Sequence, residues 1–574
     1  MRKKLLVFLL AVIAAVCFAF ALTACNNDGN DGNQSSEQEG EQEEQGGQDT
    51  PAPNEHTYSE AWSCDVTHHW HAATCEHTEE ISDYAEHTIE NGVCTVCNFI
   101  SEGTEGLVYK LSLDETYYTV TRIGTATETD IVIPSGYNGL PVKEIGGMSF
   151  WNRNSFTSLN IGNGVTSIGI SAFNGCNGLT NVNIPDSVTN IYDSAFRDCN
   201  GLTNVTIGKG VTSLGHSAFE GCSSLTSFTI PDSVTSIGDS AFLGCSALTS
   251  ITIPDSVTSI GGYAFEDCSG ITNAIIGNGI KTITWNMFYG CSSLTSITIP
   301  DSITTIGNSA FKDCSSLTSF TIPDSVTDIG IAAFKGCSSL TNITIPNNVT
   351  TLWGNAFEGC SGLKSISIGN GLTGINLSMF EGCSSLTSIT IPNSVEYISD
   401  SAFKDCISLT NITISDSTIS INENAFDGCN GITNATIPTT AIKYIPKTNL
   451  QTVVITSGSS INSSAFSGCS NLTNVTIGDS VKSISDYAFR GCSALTSIII
   501  PDNVNRIGWY AFEDCSGLEI VYYKGTAEKW EDISIDTYNN YLKNATRYYY
   551  SETRPTGEGN FWHYDTDGVT PVAW

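Results

Sequence analysis

Histidine is scarce in this chain, and positive charge is scarcer than negative. Six of the eight histidines lie between His56 and His87, leaving only His216 and His563 for the remainder. No G-x-S-x-G, P-loop or H-E-x-x-H sequence occurs, so the usual carriers of nucleophilic hydrolysis, phosphate transfer and zinc proteolysis are missing. Lys and Arg number 24 against 59 Asp and Glu, a formal charge of -35, although charged residues make up only 14%. Residues 26–102 hold eighteen acidic side chains and no Lys or Arg. A surface of this sign repels a polyanion, which removes nucleic acid from the expected partners.

What is present begins with an address. Arg2, Lys3 and Lys4 precede an apolar run from Leu5 to Leu22 that ends in "LTAC". Residues 1–24 read as a lipoprotein signal, with Cys25 the acylated first residue of the mature chain; a plain cleaved signal or an anchor helix is the alternative. Acyl chains on one residue make a stable anchor. No sorting signal is legible near Trp574, so the lipid is the only membrane contact expected and the location is extracytoplasmic. Residues 25–55 carry no aromatic or branched apolar side chain after Cys25. They cannot build a core and are expected to form an acidic, solvated leash.

Residues 56–102 concentrate six histidines and four cysteines in a segment with few aliphatics, too small to be held by a core alone. Cys94 and Cys97 form a C-x-x-C after Asn91-Gly92, the knuckle in which two thiolates face one ion, and Cys75 with His77 offers a second pair. A structural Zn²⁺ closed by these four is expected, with His71, His87 or Cys64 as substitutes for any one of them. Disulfides among Cys64, Cys75, Cys94 and Cys97 are the alternative in an oxidising compartment.

The longest feature is a repeat. Cysteines recur every 23 residues from Cys176 to Cys429 and resume at Cys469, Cys492 and Cys515. Each follows a phenylalanine by three, and Phe150 extends that series upstream, giving sixteen copies with Phe. In "LTSFTIPDSVTSIGDSAFLGC" the alternation Leu225, Phe228, Ile230 has the period of a strand, and Pro231 ends it. "SVTSI" is a second extended piece, and "DSAFLGC" a helical or 3₁₀ turn that points Ala241, Phe242 and Cys245 inward. One such coil cannot offset its own ordering entropy, so coils must stack and their ends need caps.

These copies resemble the BspA-type leucine-rich repeat of bacterial surface proteins over residues 104 to about 550. The resemblance implies a mainly β, right-handed solenoid with short helical or 3₁₀ turns, at the cell surface, serving adhesion in general without naming a ligand. The chain then divides into an amino-terminal cap and first coil over 103–149, a solenoid over 150–518, and an aromatic-rich cap over 519–574. Between Cys429 and Cys469 stand 40 residues where two full coils need 46. The coil around Pro446 omits its "AFxxC" corner, while Leu450, Val453 and Ile455 keep the strand pattern. A notch or bend is expected there, and no domain boundary.

Four features of the repeats remain. The aspartates of "F-x-D-C" (Asp198, Asp267, Asp313, Asp405, Asp514) stand where other copies have glycine, which argues against an acid and base pair. The cysteine ladder is expected to be buried free thiols acting as small hydrophobes. The outward residue of each first strand is mostly hydroxyl-bearing, including Thr206, Thr229, Thr252, Thr298, Thr321 and Thr344, a strip of some 70 Å at about 4.8 Å per coil. Threonine suits an exposed strand position by itself; as a binding face the strip offers many weak contacts to an extended partner. Trp285, Trp353 and Trp509 interrupt small polar residues at a neighbouring corner. The expectation is a non-enzymatic surface scaffold for an extracellular protein or other macromolecule, with capture of a glycan for uptake as the alternative.

Overall fold

The computed structural model describes residues 58–64, 68–73, 81–90, 93–94, 96–97 and 99–574 apart from 569. The signal, Cys25, the acidic leash, Cys75 and His77 lie outside the described residues.

The 23-residue period becomes a parallel ladder because equivalent residues of adjacent coils pair with each other. Asn181, Val182 and Ile184 pair with Asn204, Val205 and Ile207, and the shorter second strands pair in the same register, Ile191 with Leu214 and Leu214 with Ile237. Side chains alternate as the period of two requires: in Ser250–Ile253 the isoleucines are buried and Ser250 and Thr252 exposed. In two coils Phe228 and Phe320 take the place of the first inward aliphatic of the strand. There the rings wedge edge-on between neighbouring phenylalanines, and no first strand forms at Phe228 and only a bridge at Ser319.

The corner is a chain of i→i−3 bonds, such as Asn174 to Ser171 and Cys176 to Phe173, interleaved with amides that reach the next coil, such as Phe173 to Ala195 and Gly175 to Arg197. Left-handed residues at Ser171 (φ 53) and Gly175 (φ 74) turn alternate amides outward, so no continuous helix forms. Inside the corner the phenylalanines stack face to face, from 4.8 Å between Phe150 and Phe173 to 5.7 Å between Phe288 and Phe311.

In the short coil after Cys429 the first ladder runs through: Ala435 pairs with Val453 and Val453 with Val475. The second ladder stops at Ser420–Ile421 and restarts at Ser460–Ile461, with a 3₁₀ helix, Thr439–Tyr444, between them. The break therefore removes one side of a coil and leaves one core.

Both ends are closed. At the start, Val108–Leu111 and Tyr118–Arg122 form an antiparallel hairpin that begins the second sheet. At the other end Thr546–Tyr550 continues the ladder, Phe561–Tyr564 follows, and Pro571–Ala573 returns antiparallel, with Trp562 fully buried and its Nε1 donating to the Tyr523 carbonyl at 2.9 Å.

Candidate metal centre and binding surfaces

The Cys/His segment is a three-stranded antiparallel sheet, Tyr58–Cys64, His68–Ala73 and Ile81–Glu86, followed by a two-residue hairpin, Ile89–Glu90 with Val93–Cys94. The hairpin folds Cys94 and Cys97 inward, and the Cys94 amide donates to the Phe99 carbonyl at 2.8 Å. His69, His87, Cys94 and Cys97 then converge, with one ligand atom from each lying within 4.8 Å of the others. Cys97 Sγ is 3.4 Å from His87 Nδ1, and Cys94 Sγ is 3.9 Å from His69 Nδ1. A tetrahedral ion with Zn–S of about 2.3 Å and Zn–N of about 2.0 Å needs S···N edges near 3.6 Å, which these two distances bracket. His69, Cys94 and Cys97 are buried, and His87 stacks on Phe99 at 4.3 Å between ring centres.

The electrostatics favour the ligating forms. Burial raises the Cys94 thiol, but amide hydrogen bonds from Cys97 and Val96 and the side chains of His87 and Cys97 outweigh it and bring it down to about 7. Burial, then the charges of His87, His68 and His71, hold His69 below its usual value, keeping the imidazole neutral. Of the expected ligands, Cys94 and Cys97 are in the cluster and Cys75 and His77 lie outside the described residues. His87 is among the substitutes the sequence offers, and its H-x₆-C-x₂-C spacing is a signal that could have ranked it higher; His69 carries no such spacing. The segment is joined to the first coil by the Ile100 amide to Ser135 Oγ (3.0 Å) and by the Ser135 amide to the Ile100 carbonyl (3.0 Å).

Thr206, Thr229, Thr252, Thr298, Thr321 and Thr344 are all exposed on one face. Trp285, Trp353 and Trp509 are 50%, 53% and 55% exposed. Trp285 lies over Gly262, where a Cβ would stand 2.1 Å from the indole Nε1.

The thiol ladder is sealed. From Cys176 to Cys429, each donates to the carbonyl of the phenylalanine 26 residues earlier, as Cys291 does to Phe265 at 3.2 Å, and all are buried and unbridged. Burial pushes Cys176, Cys360 and Cys515 up to about 12, too high for a nucleophile or redox thiol. The "F-x-D-C" aspartates have φ between 55° and 60°, so they occupy glycine positions because Asp tolerates the left-handed region.

A family model for the BspA type leucine rich repeat region matches in copies over residues 143–272, 259–387, 373–455 and 443–546. A leucine-rich repeat protein from Bacteroides ovatus is 28% identical over 60% of this chain and 97% of its own, with a TM-score of 0.52. A leucine rich cell surface protein from Faecalibacterium prausnitzii is 27% identical over 76% of this chain and 98% of its own, with a TM-score of 0.30. No curated protein matches the chain.

Proposed function

The chain belongs to the BspA-type leucine-rich-repeat family, and from that premise we propose that it is a non-enzymatic binding scaffold of the bacterial cell surface. The observation that carries this reading is the row of exposed threonines at the first-strand position of successive coils, Thr206, Thr229, Thr252, Thr298, Thr321 and Thr344. The row is nearly uncharged and repeats in step with the coils, so a partner of matching length gains from many weak contacts at once.

In this reading the Cys/His segment is a zinc-stapled spacer. Soft thiolates with imidazoles in a closed set of four suit Zn²⁺ and leave no open position for chemistry. The lipid on Cys25 tethers the whole to the membrane through the acidic leash; Cys25→Ala should release the protein to the medium or leave it unprocessed, and normal cleavage with full membrane retention would remove the lipid from the proposal. The experiment on function is an array of immobilised matrix proteins and glycans probed with the mature chain. The hit is then challenged with Thr252, Thr298 and Thr321 changed together to Lys, and separately with Trp285 and Trp353 changed to Ser. Binding that survives the lysines and fails with the serines moves the site from the sheet face to the corner.

A further inference from the structure

Where the short coil lacks its corner, the side of the solenoid carries an open notch of about 610 Å³. One wall is the end of the second ladder, Tyr397–Ile398 paired with Ser420–Ile421, and the other comes from the 3₁₀ helix Thr439–Tyr444. Tyr397, Asp400, Asn422, Glu423, Lys443 and Tyr444 line it. Tyr397 is held in place: its ring lies across Gly374, where a Cβ would stand 2.0 Å from Cζ, and its hydroxyl donates to Asn376 Oδ1 at 3.2 Å. Its ring nonetheless stays 39% exposed. The same tyrosine borders a second hollow of about 210 Å³ whose far wall includes Trp353. Trp353, Tyr397 and Tyr444 stand on alternate coils, separated along the stack by roughly 10 Å per step at ~4.8 Å per coil, at different places around the coil.

We propose that this trough is a binding subsite for an extended, neutral oligosaccharide. The proposal rests on the scaffold reading and names the ligand class for one part of its surface. A sugar ring presents flat C–H faces and a rim of hydroxyls. The exposed rings of Tyr397 and Trp353 receive the faces, while the Tyr444 ring, with the Lys443 ammonium 4.4 Å over it, forms part of the wall. Asp400 and Glu423 accept from the rim, while Asn422 and Lys443 donate to it. Two carboxylates against one ammonium leave the trough negative, which selects against acidic glycans. Because Tyr397 is already fixed by Gly374 and Asn376, little ordering cost remains for binding. A peptide fits less well: the trough is open and mostly polar, with no enclosed socket for an apolar anchor, and the two-residue strand Ser420–Ile421 is too short an edge for strand addition.

The test uses the mature chain and four neutral hexasaccharides, the β-1,4-glucan, β-1,4-xylan, α-1,4-glucan and chitin fragments, read by calorimetry and by tryptophan fluorescence. At least one should bind and perturb the tryptophan signal. Tyr397→Ala should weaken it about tenfold, and Glu423→Gln, an exposed change that leaves the fold alone, should weaken it measurably. Tyr192→Ala, which removes an exposed aromatic far along the stack, should bind as the parent does. No binding of any hexasaccharide, or binding untouched by both Tyr397→Ala and Glu423→Gln, overturns the subsite. A protein ligand lost with the triple lysine variant, while no hexasaccharide binds, would overturn the subsite and leave the scaffold standing. A peptide displaced by Tyr397→Ala in the absence of sugar binding would reassign the trough.

Discussion

The candidate metal centre allows the sharpest quantitative test, because His69 and His87 converge on Cys94 and Cys97, whereas spacing alone favours Cys75 and His77, which lie outside the described residues. The perturbations are His69→Ala, His87→Ala and Cys94→Ser on one side, and Cys75→Ala and His77→Ala on the other. A structural Zn²⁺ in a four-ligand site contributes about 10 to 16 kcal/mol at neutral pH, so one ligand in four carries roughly 3 to 4 kcal/mol. At 1.4 kcal/mol per factor of ten that is about a 10²- to 10³-fold loss of affinity for each of the first three variants. Two of the six separations, 3.4 Å and 3.9 Å, are close to a tetrahedral edge, and all four ligand atoms lie within 4.8 Å of one another, so binding asks for a modest contraction of the set. The assay is zinc content by elemental analysis, followed by competition against a chromogenic chelator. One zinc per chain is expected in the parent and in Cys75→Ala and His77→Ala. A parent that takes up no zinc, with its four module cysteines unreactive until reduced, would replace the ion by disulfides. Zinc lost from Cys75→Ala and His77→Ala but kept by His69→Ala and His87→Ala would refute the geometric assignment.

The ladder thiols should be silent to a thiol reagent in the native state at pH 8, because burial holds Cys176, Cys360 and Cys515 at about 12. Each therefore stays protonated until the pH nears that value, whereas in denaturant, where the thiol returns to its ordinary range, the whole ladder should react; native reaction at pH 8 would mean that the coils open. Asp313, at φ 60, should accept Gly without loss, while Asp313→Ala should cost about 1 to 2 kcal/mol for a side chain forced left-handed without Asp's local hydrogen bonding; thermal unfolding reads the difference, and equal melting of the two would show that the conformation is not what selects Asp.

Much of the solenoid was legible because its contacts are periodic. Once Phe and Cys recur at 23, each coil's nearest neighbours are the same letters one period away, and the ladder, the phenylalanine stack and the buried thiols follow. The skipped corner between Cys429 and Cys469 was visible as a shortfall in spacing, with Leu450, Val453 and Ile455 signalling that the first ladder survives, as the pairing of Ala435 with Val453 bears out. What escaped was the wedging of Phe228 and Phe320, since an apolar letter in a strand pattern says nothing of ring size against its neighbours.

By itself, then, the sequence determined the repeat, the stacking direction of its apolar side chains and the family, because each depends on interactions at one fixed separation along the chain. Only the tertiary structure decided which histidines join Cys94 and Cys97. His69 lies 25 residues from Cys94, and reaches it through antiparallel strands whose register shifts between His69 and His71, a displacement no spacing rule encodes. The same holds for the trough: Trp353, Tyr397 and Tyr444 share no motif, and they border two adjoining hollows only because coils stack in register and the short coil has a 3₁₀ helix where its second strand would be.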